Sequence, residues 1–404
     1  MEPAAPLPGT TETPQERLLR RLLAVATIVL MLATHRLWTG NSPLPQIPWF
    51  RFGTGIPLWF DRSILGLLLL SCGVMVLRPV HPNPARIWRL YIAIVACLVL
   101  LDQNRLQAWT WEFLLLAATF VLAPTSQRIP VARWIPIAAY FYSAVSKLDQ
   151  TFLTQAGPRL VVELFGIPDH ARPGWVTCLV WLLPLGELLM VMLLARPTTR
   201  MWGLRLSLLM HVTLILALGP FGLKHEWGVV LWNVYFVCQN LILYLPAAEP
   251  SPPVRWSPLL RAWVVILMTY PALAWIDRCD PWPAWVVYSE RPTRVIARIH
   301  VEAISQLPAE FQSYVEPPPP LGEWAAVNLD SQSFQLLHTP LSPAGHYRLA
   351  LWLAETQSIP HDFVGADIIL PPSRLTGQRE ILELRSRQQI QQHAAQRWWN
   401  SNSR

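Results

Sequence analysis

The sequence predicts an all-α polytopic membrane bundle of about nine spans, followed by a small C-terminal α+β extramembrane domain. Three observations carry that expectation. The 404 residues are 52% hydrophobic and only 14% charged, with a mean hydropathy of +0.31, too apolar for one soluble domain. Apolar runs recur from Arg17 to residue 276. From Asp277 onward the composition turns polar, with proline clusters at Pro317–Pro320 and Pro371-Pro372. The expected organisation is a disordered tail over residues 1–16, a transmembrane domain over 17–276 and an extramembrane α+β domain over 277–404.

Residues 1–16 are rich in Pro and Thr, which suits a disordered tail. The first apolar run follows Arg20-Arg21 and reaches His35-Arg36 without a small-residue cleavage motif. It therefore reads as a retained span, not as a cleaved signal. Run lengths place the spans near 18–36, 60–77, 88–104, 109–124, 132–148, 174–195, 201–219, 227–246 and 259–276. The third and fourth are the shortest in effect and could tilt or re-enter. Trp38, Trp59, Trp88, Trp134, Trp175 and Trp202 lie at run edges, where an indole suits the membrane–water interface.

Loop charges orient the bundle. The loops with Arg17, Arg20, Arg21, Arg78, Arg86 and Arg128 belong to a set richer in basic residues than the alternate set with Arg36, Arg51, Arg62, Arg105, Arg159, Arg172 and Lys224. The positive-inside rule then puts the N-terminus in the cytoplasm and, after an odd number of spans, the C-terminal domain on the periplasmic or exoplasmic side. The net charge of +7 is dispersed over short loops, which argues against a nucleic-acid surface. Cys72, Cys97, Cys178 and Cys238 fall inside apolar runs and Cys279 just after one, with no metal spacing, so they are expected to be buried small hydrophobes. Beyond Asp277, residues 294–301 and 364–370 read as strands, and 345–355 and 387–399 as helices. The scattered histidines there suggest no metal site, and no catalytic motif is present.

Polar residues inside apolar runs carry the functional question, because each needs a partner or a wet cavity. Lys147 ends the fifth run. It is either a snorkelling anchor at the headgroups or an amine held beside aromatic rings as a base. Asp102 precedes Arg105 by three residues, a spacing that favours an ion pair at the outer interface. Glu187 and His211 sit in mid-span; Asn233, Gln239 and Asn240 are expected to bond between helices. Pro220 and Gly222 break the seventh run on the side of Lys147, near Trp227 and Trp232. An aromatic mouth of this kind suits a flat amphipathic molecule such as a quinone.

The segment Tyr140-Phe141 followed by Ala144-Val145-Ser146-Lys147-Leu148-Asp149 resembles a segment of the vitamin K-dependent gamma-carboxylase family and of the wider horizontally transferred transmembrane (HTTM) domain proteins. Leu100-Leu101-Asp102, Glu187 and His211 are compatible with the same pattern, and the likeness spans residues 15–276. The resemblance implies a quinol-dependent enzyme. Lys147 would be the catalytic base, and Tyr140, Glu187, His211 and Asp102 would line the site of a lipid-soluble cofactor such as menaquinone or vitamin K hydroquinone. The C-terminal region is much shorter than the carboxylase's, so quinol binding or oxidation is expected over glutamate carboxylation. The alternative is a non-catalytic membrane scaffold or accessory protein whose exoplasmic domain recruits a protein partner. A four-span DoxX-type redox accessory fits the length poorly, and a transporter would call for an internal repeat that is not seen.

Overall fold

The computed structural model describes residues 12–40, 44–78, 84–168, 173–245, 256–276, 279–287, 293–341, 343–355 and 359–395. The expected tail at 1–11, the domain boundary at Asp277 and residues 396–399 of the last predicted helix lie outside the described residues. Helix α1 (Pro14–Ala33) starts inside the stretch expected as a tail. Thr13 accepts from the Glu16 amide while the Glu16 carboxylate accepts from the Thr13 amide, a reciprocal cap that fixes the first turn. A short α2 (His35–Thr39) follows and ends on Gly40, whose φ of 67° is the left-handed conformation a side chain disfavours.

The bundle continues through α3 (Leu58–Leu77), α4 (Pro84–Leu101), α5 (Ala108–Leu122), α6 (Thr125–Ala132) and α7 (Trp134–Lys147). It is completed by α8 (Gly157–Leu164), α9 (Gly174–Ala195), α10 (Arg200–Leu218), α11 (Trp227–Tyr244) and α12 (Pro258–Thr269), the last prolonged by a 3-10 stretch over Tyr270–Ile276. Each predicted span coincides with a helix, but the expected count of about nine is not confirmed. Among the described residues, 5 helices are long and apolar enough to cross a membrane: α3, α9, α10, α11 and α12 with its extension. At ~1.5 Å per residue, the 15 residues of α5 and the 14 of α7 reach ~22 and ~21 Å, short of a ~30 Å hydrocarbon layer. The chain is a multi-pass integral membrane protein.

Burial separates the helices by role. Only 22% of the apolar window of α9 is buried inside the protein, so most of its surface is left to lipid. In α5 the buried positions run all round the helix, which places it at the centre of the bundle. Gly203 lets α10 approach α9 closely, since a Cβ there would come within 2.8 Å of the Leu194 amide nitrogen. Two of the tryptophans expected at the interface are instead core residues: Trp38 packs against Trp109, and Trp88 against Phe120. Cys72 is buried as expected, whereas Cys178 is exposed on the outside of α9. Some arginines expected as topology signals are structural. Arg20 is fully buried, pairs with Glu12 at 2.8 Å and donates to the Met75 and Arg78 carbonyls at the end of α3.

The C-terminal unit is built on a five-stranded antiparallel sheet ordered β2-β3-β1-β4-β5. Its strands are β1 (Arg294–His300), β2 (Val315–Glu316), β3 (Trp324–Val327), β4 (Val364–Ile369) and β5 (Ile381–Leu384). Only β1 and β4 were foreseen. Helices α13 (Ala309–Gln312), α14 (Leu329–Leu337), α15 (Pro343–Glu355) and α16 (Arg387–Ala395) complete it. α15 packs on β1 and β4, covering the alternate residues Val295, Ala297 and Ile299 that the strand period points to one face. On the other face Asp367 receives Arg298 at 2.7 Å and Arg385 at 2.5 Å.

This unit sits on the end of the bundle marked by Arg36, Gln107 and Lys147. Arg36 donates to the Gln335 carbonyl, Thr339 to the Gln107 side chain at 2.9 Å, and Arg374 to the Val145 carbonyl, while the Gln150 amide returns a bond to the Arg374 carbonyl. Arg348 is buried at the junction over the Trp49 ring. Burial pushes its guanidinium down to about 10, against the opposing charges of Asp280 and Asp102.

The loops beneath are gathered by Arg105. Its two terminal nitrogens meet both oxygens of Asp61 at 2.6 and 2.7 Å, and its other bonds go to the Leu37, Trp38 and Leu98 carbonyls. Both side chains are almost wholly out of water. Arg105→Met should therefore strand a buried carboxylate and cost ~3–5 kcal/mol, read as a lower thermal unfolding midpoint in detergent. Adding Asp61→Leu should recover most of the loss. A double variant no more stable than Arg105→Met would show that the pair is not what matters.

Candidate functional site

Helix α7 positions two of the predicted site residues, about two turns apart. Lys147 is its last residue, and the aromatic segment upstream turns Tyr140 into the bundle. The lysine does not snorkel. Its Nζ donates to the two Glu187 oxygens at 2.9 and 3.1 Å and to the Ser143 hydroxyl and carbonyl at 2.5 and 3.3 Å. Side-chain exposure is 7% for Lys147 and 12% for Glu187, so the pair is enclosed where α7 meets α9. An ammonium has three protons to donate, and here oxygens surround it for all of them.

Tyr140 and His211 belong to a second cluster, nearer the middle of the bundle. The Asn240 amide donates to the Tyr140 hydroxyl at 2.6 Å, and that hydroxyl lies 2.7 Å from Nε2 of His211. Nδ1 of His211 is 2.8 Å from the Asn233 carbonyl oxygen, and the Asn233 amide donates to the Val229 carbonyl at 2.9 Å. One donor direction satisfies every link: Asn240 to Tyr140, Tyr140 to His211, His211 to Asn233, Asn233 to backbone. It requires a neutral imidazole protonated at Nδ1. The ring stacks on Phe236 at 4.7 Å, which fixes its plane. Asn233 and Asn240 thus bond between helices as expected, whereas neither amide atom of Gln239 has a hydrogen-bond partner.

Asp102 is not brought to either cluster. It caps the 3-10 turn Gln103–Arg105, accepting from the Asn104 amide at 3.1 Å and the Ile47 amide at 3.4 Å. The expected Asp102–Arg105 pair is corrected, because Arg105 directs its fork to Asp61. Two functional-looking carboxyls escaped the sequence reading. Asp61 sits at the start of an apolar run, in Trp59-Phe60-Asp61-Arg62. Glu112 is the only ionisable residue of the fourth run, a signal that was available. It is fully buried and accepts from the Trp232 indole at 2.7 Å.

The geometry allows proton sharing within each cluster and cross-links α7 to α9, α10 and α11. Lys147→Met should leave Glu187 unpaired and destabilise the protein by ~2 kcal/mol, less than a fully buried pair because both side chains keep some exposure. Lys147→Met combined with Glu187→Leu should return close to wild-type stability. Thermal unfolding in detergent checks both. A single variant as stable as wild type would remove the pair from the forces that hold the bundle.

Residues 125–226, about a quarter of the chain, match the family described as Methylamine utilisation protein MauE. This match spans α6 to α10 and includes Lys147, Glu187 and His211. It overturns the resemblance to the vitamin K-dependent gamma-carboxylase and HTTM families, because the segment that carried that likeness lies inside the MauE match. The catalytic carboxylase-like reading loses its support with it. No curated protein and no solved structure matches the chain.

Proposed function

We propose that the chain is a non-catalytic membrane accessory protein whose bundle holds the C-terminal unit at one membrane face, where it recruits a protein partner. The single observation that carries this reading is the state of Lys147, whose ammonium is enclosed by Ser143 and Glu187 of the chain itself. The MauE match suggests that the partner belongs to a methylamine utilisation system. On the loop charges, the N-terminus is cytoplasmic and the C-terminal unit lies on the periplasmic or exoplasmic side. In this reading Lys147, Glu187, Tyr140 and His211 set the mutual position of α7, α9, α10 and α11, and Asp102 shapes the turn on which the C-terminal unit rests.

The test is complementation in a host that requires the chain for growth on methylamine. The Lys147→Met/Glu187→Leu double variant should support growth like wild type. A photo-crosslinker at exposed Leu321 or Leu375 of the C-terminal unit should capture the same protein with either version. A double variant present at wild-type abundance that fails to support growth would overturn the accessory reading and return Lys147 to a chemical role.

A further inference from the structure

Glu112 lies outside the MauE match, on the central helix α5. One carboxyl oxygen accepts from Trp232 Nε1, and the other, Oε1, has no hydrogen-bond partner. Trp232, Tyr235 and Gln239 recur on α11 at intervals of three and four, which puts them on one helix face. Gln239 is fully buried, and the Tyr235 hydroxyl is a further buried polar atom without a partner. The Gln239 amide lies against the Glu112 carboxyl without meeting hydrogen-bond geometry. Orphaned donors and acceptors facing one another in a dry interior imply that something completes them.

What completes them must also settle the charge. No guanidinium or ammonium among the described residues acts on Glu112. Among the described residues, the titratable groups that interact with Glu112 are Tyr235 from α11 and Tyr140 from α7, with Cys238 of α11 and Tyr91 of α4 beside Tyr235, and none is a cation. Arg128, on α6, is directed to Glu16 instead. An unpaired carboxylate at this depth is heavily disfavoured, so the site calls for one positive charge from outside. A hard metal cation takes about six oxygens or more. Among the described residues, the unpartnered oxygens of this cluster are Glu112 Oε1, Gln239 Oε1 and the Tyr235 hydroxyl, and the Gln239 NH2 would face the ion. A proton needs one oxygen to hold it and one to receive its hydrogen bond.

We propose that Glu112, Gln239 and Tyr235 form an intramembrane proton-binding site. Uptake from hydronium forms one O–H bond at Glu112 Oε1 and leaves water; the new hydroxyl donates to Gln239 Oε1. Release breaks that bond and returns the proton to water. The carboxylate then accepts from the Tyr235 hydroxyl and from the Gln239 NH2, which an amide rotation brings round. Gln239 is suited to both states because its amide offers an acceptor and donors on one rotor. Trp232 donates to Oε2 in either state.

Infrared difference spectroscopy on the full chain in lipid nanodiscs tests this. Wild type minus Glu112→Gln at neutral pH should show the carbonyl stretch of one neutral carboxylic acid, sensitive to H/D exchange. Gln239→Leu should displace that band, since it removes the acceptor of the acid proton. If Glu112→Gln does not fold, wild type minus Gln239→Leu reads the same carbonyl. Carboxylate bands in place of the acid band at neutral pH would overturn the proposal. So would a sodium-dependent rise in thermal stability, at constant ionic strength, that Glu112→Gln abolishes.

Discussion

The paired fork between Arg105 and Asp61 is the contact on which one end of the molecule depends. Arg105 reaches α2, the start of α3 and the end of α4 at once, through one carboxylate and three carbonyls. These segments belong to three separate helices that no shared secondary structure joins. A planar guanidinium with five donors can bind several acceptors in fixed directions, which a lysine at the same place could not do. The Ile47–Trp49 strand of loop is then stitched to the end of α4 by the Gln103 and Trp49 amides. The C-terminal unit rests on this platform through Arg348 over Trp49 and Thr339 on Gln107, so its placement is inherited from a contact inside the bundle.

The same physical rule, that polar groups withdrawn from water must meet one another, orders the rest of the interior. Arg20 with Glu12 closes the opposite end. Lys147 with Glu187 joins α7 to α9, and the Asn240–Tyr140–His211–Asn233 relay joins α7, α10 and α11. α11 takes part in two polar systems because its faces differ: Asn233, Phe236 and Asn240 look toward His211, while Trp232, Tyr235 and Gln239 look toward Glu112. On the first face the relay from Asn240 to Val229 is closed within the chain, with the Asn240 side-chain oxygen left over. The second leaves Glu112 Oε1, the Gln239 amide and the Tyr235 hydroxyl without partners.

Helix positions were legible in the sequence because apolar run length reports them directly, and β1 and β4 were legible because their residues alternate. β2, β3 and β5 are too short for a period to register. The pairing of charges was the least legible part. Asp102 and Arg105 stand three apart and invite a local pair, yet Arg105 chose a carboxylate 44 residues away, where two oxygens met its fork. Trp38 and Trp88 sit at run edges like interfacial anchors, but the short inner helices turn those edges into core. Lys147, Glu187 and His211 each stand out in the sequence as polar residues within apolar runs. Sequence could not say that they divide into two separate clusters, because that depends on which face of α7 each neighbour covers.

The shortness of α5 and α7 has an effect beyond packing. They are surrounded by longer helices such as α9, whose 22 residues extend ~33 Å. The two inner helices are therefore about a third shorter than such a neighbour. At one end the C-terminal unit caps both, through Thr339 on Gln107 and Arg374 on the Val145 carbonyl. The apolar length along these two helices is less than a ~30 Å hydrocarbon layer. A voltage across the membrane falls mainly over dry material, so its gradient is steepest along this central axis. A charge that moves a few ångströms near Glu112 crosses a larger share of the membrane potential than the same step taken at the lipid-facing rim.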